Sequence, residues 1–180
     1  VSSEMIEKFG LGYSFEERNH LTKIALDKGY KKENLIDSGL TSEKNNKLYD
    51  RFFGRVIFPI HNLSGRTIGF GARILQTNKK AAKYLNSPET DIYHKSDVLY
   101  GLYLAKRSII QHDNCFLVEG YTDVISLHQK GIENVVASSG TSLTTGQIKL
   151  IKRFTPNITV LYDGDEAGIK ASFRGIDLIL

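Results

Sequence analysis

Four carboxylates stand directly after two apolar runs of the sequence. Glu119 and Asp123 follow the first run, and Asp163 and Asp165 follow the second. A glycine in each cluster lets the backbone bend sharply where the run ends. Carboxylates held at the carboxyl edge of a parallel sheet suit a hard, oxygen-preferring cation such as Mg²⁺, or Mn²⁺ in its place. The residue types therefore predict metal-assisted phosphoryl chemistry.

Alternating strands and helices after residue 114 are predicted to position these carboxylates. Strands are predicted at 115–118, 135–137 and 158–162, and helices at 123–130, 147–154 and 167–180. Such repetition with short connections predicts a parallel sheet, whose strands all end at one edge. Glu119, Asp163 and Asp165 would then converge, and a shared cation would offset their mutual repulsion. Thr144 and Gln147 predict a capping box at the start of the second helix.

Each acidic residue also has a purely structural interpretation. Asp165 is a suitable N-cap for the last helix, and Asp163 is a suitable turn residue. Asp123 complements the positive end of its own helix. The small residues at 138–142 suit either an anion site or an ordinary strand-to-helix loop. The catalytic interpretation is favoured because the pattern occurs twice: each acidic cluster directly follows an apolar strand of the same alternating strand–helix unit.

The first 112 residues predict a mixed α+β subdomain. Helices are expected at 16–28, 32–38 and 98–110, strands at 55–60 and 67–74, and a loop at 76–87. Pro59 indicates that the first of these strands lies at an edge or contains a bulge. We therefore predict an α/β chain with two domains, 1–112 and 113–180.

The net charge of +4 is unevenly distributed along the chain. Residues 51–112 contain 10 Lys and Arg against 3 Asp and Glu, whereas residues 113–180 contain 6 against 8. Aromatic residues lie among the cations of the basic middle: Phe52, Phe53, Phe70, Tyr84 and Tyr93. Cations and aromatic faces together predict a groove for single-stranded nucleic acid. The alternative is a solvated basic surface over a core that contains Phe52, Phe58 and Phe70.

Several classes of protein are disfavoured by composition. The single cysteine, Cys115, lies in an apolar run and predicts a buried free thiol in a reducing compartment. No apolar run approaches the roughly 20 residues of a membrane span. The five histidines are scattered and give no support to a serine or cysteine triad. The chain starts at Val1 and ends inside a predicted helix, which indicates a fragment of a longer protein.

An ordered series of motifs resembles the bacterial DnaG-type DNA primase family. The motifs are YDRF at 49–52, RVIFPI at 55–60, GFGAR at 69–73, KYLNSPET at 83–90, VEGYTDV at 118–124 and YDGD at 162–165. The resemblance extends over nearly the whole chain. The last section is similar to the TOPRIM fold, which type IA and type II topoisomerases, some nucleases and recombination mediators also use.

The resemblance implies a nucleotidyltransferase that synthesises short RNA primers on single-stranded DNA. Glu119, Asp163 and Asp165 match the metal-binding acids of the family, and Asp123 matches a further functional acid. The implied fold is a mixed α+β N-terminal subdomain followed by a TOPRIM-like parallel sheet flanked by helices and truncated at the C-terminus. Whether Glu119 acts as general base or as metal ligand stays open.

The resemblance also implies a set of residues that guides template and nucleotide, which we name the basic strip. Its members are Arg51, Arg73, Lys83, Tyr84, Asn86 and Lys95. Phe53 stands where some relatives carry arginine, and Ala72 replaces a frequent glycine.

The implied partners are single-stranded DNA, ribonucleoside triphosphates and the RNA primer, in the cytoplasm at the bacterial replication fork and away from membranes. A zinc-binding domain would precede Val1, and a domain that contacts the replicative helicase would follow Leu180. We expect the fragment to bind DNA and metal weakly and to polymerise poorly or not at all. Two alternatives stay open, namely another TOPRIM nuclease or topoisomerase, and a DNA-binding module with vestigial acids.

Overall fold

The computed structural model of the chain describes residues 1–75, 81–138 and 142–179. The chain forms two compact units. The first comprises Val1–Lys8, Ile60–Thr67 and His94–Leu180, and the second comprises Phe9–Pro59 and Ile68–Tyr93. Lys79 and Lys80, part of the predicted loop at 76–87, and residues 139–141 of the predicted anion-site loop lie outside the described residues.

A three-stranded parallel sheet forms the centre of the first unit. Strand β7 (Cys115–Val118) lies between β8 (Val135–Ala137) and β9 (Ile158–Val160), and both neighbours run parallel to it. The side chains of β8 and most of those of β7 are fully buried, as expected for strands covered on both faces. All three strands therefore deliver the residues that follow them to the same edge.

Helices flank this sheet and supply half of the buried residues in its core cluster. Their bounds are α1 Ser3–Phe9, α4 Leu102–His112, α5 Tyr121–Gln129, α6 Thr145–Lys152 and α7 Glu166–Ile179, with a 3₁₀ turn at Lys95–Asp97. Leu102, Ala105, Ile109, Ile148 and Ile151 pack in one cluster with the buried strand residues. The predicted fold class, a parallel sheet flanked by helices, is confirmed.

The predicted helix ends in this unit have the expected local causes. Thr144 Oγ1 accepts a hydrogen bond from the Gln147 N–H at 3.1 Å, and Gln147 Oε1 accepts one from the Thr144 N–H at 3.2 Å, so the capping box is confirmed. The helix predicted at 98–110 begins later, at Leu102, because Gly101 adopts a left-handed conformation with φ 83°.

The second unit is built on an antiparallel sheet with strand order β1-β4-β5-β6. The strands are β1 Gly12–Ser14, β4 Arg55–His61, β5 Thr67–Ile74 and β6 Tyr84–Asn86. Helices α2 (His20–Asp27) and α3 (Lys32–Asp37) precede a separate hairpin of β2 (Thr41–Lys44) and β3 (Lys47–Asp50).

Strand β1, the β2–β3 hairpin and strand β6 were not predicted, and the loop prediction at 76–87 is wrong at Tyr84–Asn86, which form β6. Asn45 and Asn46 form the hairpin turn with φ of 51° and 59°, and asparagine tolerates this left-handed conformation. The Asn45-Asn46 pair is the sequence feature from which this turn could have been predicted. Strand β4 lies between β1 and β5, so it is not the edge strand that Pro59 indicated. Pro59 lies beyond the three residues that pair with β1, so the N–H that proline lacks is not needed for that pairing.

Two of the three predicted core aromatics are buried. Phe52 and Phe58 are almost fully buried, whereas Phe70 is only half-buried, with its ring 6.2 Å from that of Phe52. Tyr93 is also buried, and burial together with the nearby Glu89 charge raises its pKa to about 12. Of the five aromatics of the basic middle, Phe52 and Tyr93 are therefore core residues, whereas Tyr84 is exposed.

Candidate functional site

The two acidic motifs lie at the carboxyl ends of adjacent parallel strands. Glu119 follows β7 directly, and Asp163 follows β9 after a short extension in which the Leu161 N–H donates to the Leu117 carbonyl at 2.8 Å. Glu119 Oε1 accepts a hydrogen bond from the Asp163 N–H at 3.0 Å. The two acidic motifs therefore meet as predicted, and the contact between them is a hydrogen bond from a backbone N–H to a carboxylate.

Two of the predicted acids cap helices, as their structural interpretations suggested. Asp123 Oδ2 accepts from the Gly120 N–H at 2.9 Å at the start of α5. Asp165 Oδ1 accepts from the Gly168 N–H at 2.7 Å at the start of α7. These bonds place negative charge at the positive ends of both helices.

The carboxylates are not gathered into a ready metal cluster. Within residues 1–75, 81–138 and 142–179, no group of three or more His, Cys, Asp or Glu side chains is placed to hold one ion. The assignment of Glu119, Asp163, Asp165 and Asp123 as metal ligands stays a prediction.

A close backbone contact joins the first turn of helix α7 to the acidic turn before it. A Cβ atom added at Gly168 would overlap the carbonyl oxygen of Asp163, so the first turn of the helix packs directly on the acidic turn. Gly168 is buried for the same reason. The residue thus fixes the position of Asp163 and Asp165 without bearing a functional group of its own.

A cavity of about 180 Å³ lies beside Glu119 in the first unit. Ser138, Tyr162 and Arg174 also line it. Burial raises the pKa of the Tyr162 phenol, a hydrogen bond with Ser138 opposes that shift, and the Glu119 charge adds to it. Arg174 was missed because it follows Asp165 by nine residues on an otherwise unremarkable helix.

Several members of the basic strip come together in the second unit. The Arg51 Nε–H donates to the Asn86 carbonyl at 3.4 Å, and burial lowers the pKa of Arg51. The Arg73 guanidinium and the Lys83 ammonium lie 5.6 and 5.9 Å from the centre of the Tyr84 ring, within the range of cation–π attraction. Tyr84 remains 37% exposed among these cations.

Lys95 belongs to the other compact unit. It begins the 3₁₀ turn, and its carbonyl accepts a hydrogen bond from the Gln147 side chain at 3.1 Å. Gln147 also donates to the Val98 carbonyl at 2.9 Å, which ties the turn to α6. The roles of Lys95 and of the other strip residues stay predictions.

Phe53 has a cationic neighbour that the sequence did not reveal. The Arg18 guanidinium lies 5.1 Å from the centre of the Phe53 ring. Phe53 thus has an arginine from elsewhere in the chain over its ring. No local spacing links residues 18 and 53, so sequence reasoning missed the pair.

Cys115 is fully buried, and burial raises its pKa to about 12, so the prediction of a buried thiol is confirmed.

In the described part of the chain, no helix combines the length and the apolar character needed to cross a bilayer.

Comparison with known families covers both units. The family described as "DNA primase catalytic core, N-terminal domain" matches residues 1–106, and a Toprim-like family matches residues 116–180. The chain belongs to the DNA primase family. The predicted resemblance is confirmed, whereas the predicted domain boundary at residue 112 stays a prediction. The compact units follow other bounds, since helix α4 packs on the parallel sheet.

Individual relatives of this primase chain are similar over its whole length. The DNA primase of Clostridium acetobutylicum is 47% identical over 179 residues, which are 99% of this chain and 30% of that protein. The Aquifex aeolicus primase structure, of zinc-binding and RNA polymerase domains, has a TM-score of 0.92 and 38% identity over 100% of this chain and 44% of that chain. A structure of a DnaG primase catalytic domain bound to single-stranded DNA has a TM-score of 0.89 and 43% identity, and the match covers 100% of this chain and 56% of that chain. The primase chain thus spans about a third of the length of the curated relatives it matches.

Proposed function

We propose that the protein containing this chain is a bacterial DNA primase, a nucleotidyltransferase that makes short RNA primers on single-stranded DNA from ribonucleoside triphosphates. The observation that carries the proposal is the hydrogen bond from the Asp163 N–H to Glu119, because it brings both acidic motifs to one sheet edge. That edge belongs to a chain whose whole length is similar to DNA primases.

The carboxylates at this edge are chemically suited to a divalent cation, for which we propose Mg²⁺ or Mn²⁺. Glu119, Asp163 and Asp165 would hold it, with Asp123 as a further candidate. In the described part of the chain, hydrogen bonds engage one oxygen of Glu119 and one of Asp165, and none engages the Asp163 carboxylate. When bound, the cation neutralises phosphate charge and makes a hydroxyl group more acidic.

The chain's own residues would position the reacting groups. The Asp163 N–H fixes one oxygen of Glu119, so the other oxygen has a defined direction whether it binds metal or accepts a proton. We propose that the basic strip holds the template, with phosphates on Arg51, Arg73, Lys83 and Lys95 and a base against Tyr84. Because such binding releases counterions, it should weaken steeply with salt.

The remaining partners belong to the whole protein. We propose that it acts in the bacterial cytoplasm at the replication fork, that the RNA primer leaves from the same site, and that a helicase-contacting domain and a zinc-binding domain lie outside this chain. The isolated chain is expected to be weak or inactive.

The test is primer synthesis on single-stranded DNA by the full-length protein, with and without Mg²⁺. We expect Asp163→Ala and Glu119→Gln to abolish synthesis, because each removes a carboxylate oxygen from the sheet edge. Glu166→Gln is the matched control, since it removes the same charge next to the motif from an exposed ion pair with Lys170. Near-normal synthesis by Asp163→Ala would overturn the proposal.

Mn²⁺ binding, measured separately, distinguishes the two roles of Glu119. A Glu119→Gln protein that binds Mn²⁺ normally but makes no primer would identify a general base, and loss of both would identify a ligand. Cleavage or relaxation of supercoiled DNA without primer synthesis would instead favour a TOPRIM nuclease or topoisomerase.

A further inference from the structure

A cationic cavity lies in the second unit between helix α2 and the β2–β3 hairpin. Its volume is about 530 Å³, and its walls include Arg18, Asn19, Lys23, Lys47 and Tyr49. No acidic residue is among its lining residues, all of which the structure describes. None of these residues belongs to the basic strip.

Three acids near the cavity in sequence are engaged with other partners. Glu17 pairs with His20 at 3.3 Å, and Glu43 pairs with Lys32 at 2.7 Å. Asp50 is buried, and its carboxylate accepts from the N–H groups of Leu21 and Thr22 at 2.7 and 2.9 Å. In the described part of the chain, no ion pair neutralises the three cations of the cavity.

Two of the lining side chains are held where a ligand can use them. The Arg18 guanidinium lies over the Phe53 ring, and the Arg18 carbonyl accepts from the Asp50 N–H at 2.6 Å, so both ends of this residue are anchored. Asn19 occupies the N-cap position of α2 but makes no side-chain capping bond, because Asp50 already takes the first amides. Its amide therefore faces no competing helix N–H.

We propose that this cavity binds a phosphate group, as an anion site separate from the basic strip. Three cations with two neutral donors, Asn19 and Tyr49, match the charge and the several acceptor oxygens of a phosphate. The phosphate comes either from a nucleic-acid strand or from a free nucleotide, and both present the same chemistry. Binding alone tests the site, which does not depend on whether the protein makes primers.

The experiment is titration calorimetry of the full-length protein with three probes: inorganic phosphate, ATP and an oligothymidylate. Lys23→Gln and Lys47→Gln should each weaken the probe that uses the site by about three- to tenfold, since each removes one charge-assisted contact. If the strand is the source, the slope of log affinity against log salt for the oligothymidylate should fall by about 0.7 for each variant.

Lys44→Gln is the matched control. Lys44 is the register partner of Lys47 across the hairpin, is equally exposed and lies outside the cavity. It should leave all three affinities unchanged. Phe53→Leu, which removes the ring beneath Arg18, should weaken the same probe by about twofold.

The three probes distinguish the two possible sources of the phosphate group. A loss confined to oligothymidylate identifies a strand phosphate, and a loss for ATP or inorganic phosphate identifies a free one. An equal loss with Lys44→Gln would show a general charge effect and overturn the proposal. So would unchanged affinity for every probe in the double variant of Lys23 and Lys47, with thermal unfolding confirming that it is folded.

Discussion

The two compact units place their candidate functional residues in different ways. In the parallel-sheet unit, the residues of β7 and β8 are mostly buried, and the acids stand just past the strand ends, as Glu119 does after β7. In the antiparallel unit, burial varies along β4 and β5. Arg73 and the exposed Tyr84 stand on strands themselves, and Arg51 and Lys83 lie directly next to strand ends.

The difference follows from how each sheet is covered. A parallel sheet with helices on its faces leaves only its edges for polar side chains, so its chemistry is concentrated in short motifs. An antiparallel sheet can leave a face open, so its polar residues are spread over many alternate positions. The acids of the first unit therefore depend on backbone placement, and the cations of the second depend on side-chain contacts with distant residues.

The largest expected effect tests backbone placement in the parallel-sheet unit. Gly168→Ala should reduce primer synthesis by the full-length protein by about 100-fold, because its Cβ would overlap the Asp163 carbonyl and displace the acidic turn. Gly175→Ala is the control on the same helix, where a new Cβ would meet Leu143 at an ordinary 3.5 Å. Equal activity of the two variants would show that the turn does not need this contact.

The next effect tests whether the antiparallel unit depends on a distant side chain. Asp50 accepts bonds from the Leu21 N–H, the Thr22 N–H and, at 2.6 Å, the Thr22 hydroxyl. Asp50→Asn should lower the free energy of unfolding by about 1–3 kcal/mol, because a charged acceptor of buried donors is lost. Chemical denaturation measures it.

Asp27→Asn provides the comparison, since Asp27 is exposed at the other end of α2 and should change stability by less than about 0.5 kcal/mol. If Asp50→Asn is as harmless as this control, the capping account of Asp50 is wrong.

The smallest effect concerns a pH dependence specific to the parallel-sheet unit. Burial and, next, the Lys8 charge lower the pKa of His128 from 6.5 to about 4, and Glu133 opposes the shift. The unfolded chain binds a proton at His128 more readily than the folded chain does. The contribution of the neutral, buried His128 to the free energy of unfolding is therefore fully present above pH 6.5 and is lost as the pH falls towards 4. Urea unfolding at several pH values should therefore show a shallower decline for His128→Gln than for the unaltered protein. The exposed His112→Gln should decline like the unaltered protein, and a His128→Gln curve that does the same would refute this account.

Much of the parallel-sheet unit could be predicted because its signals are local. Apolar runs of three to five residues, the Thr144–Gln147 capping box and the acids beyond the strand ends each occupy a few consecutive positions. The antiparallel unit was predicted less completely. Strands β1 and β6 have three residues each, and the β2–β3 hairpin is largely polar, so none of them has the hydrophobic alternation that indicates a strand.

The sequence by itself determined the order of strands and helices after residue 114, the family and the identity of the acidic motifs, because each rests on neighbouring residues. Only the tertiary structure decided that Glu119 meets a backbone amide, that Arg18 lies over Phe53 and that Asp50 caps α2. Each of these contacts joins residues that are far apart in the sequence, for example 29 positions for Leu21 and Asp50 and 44 positions for Glu119 and Asp163. Arg18 and Phe53 lie in two separate turns. Such pairs form through packing, which no local periodicity of the chain specifies.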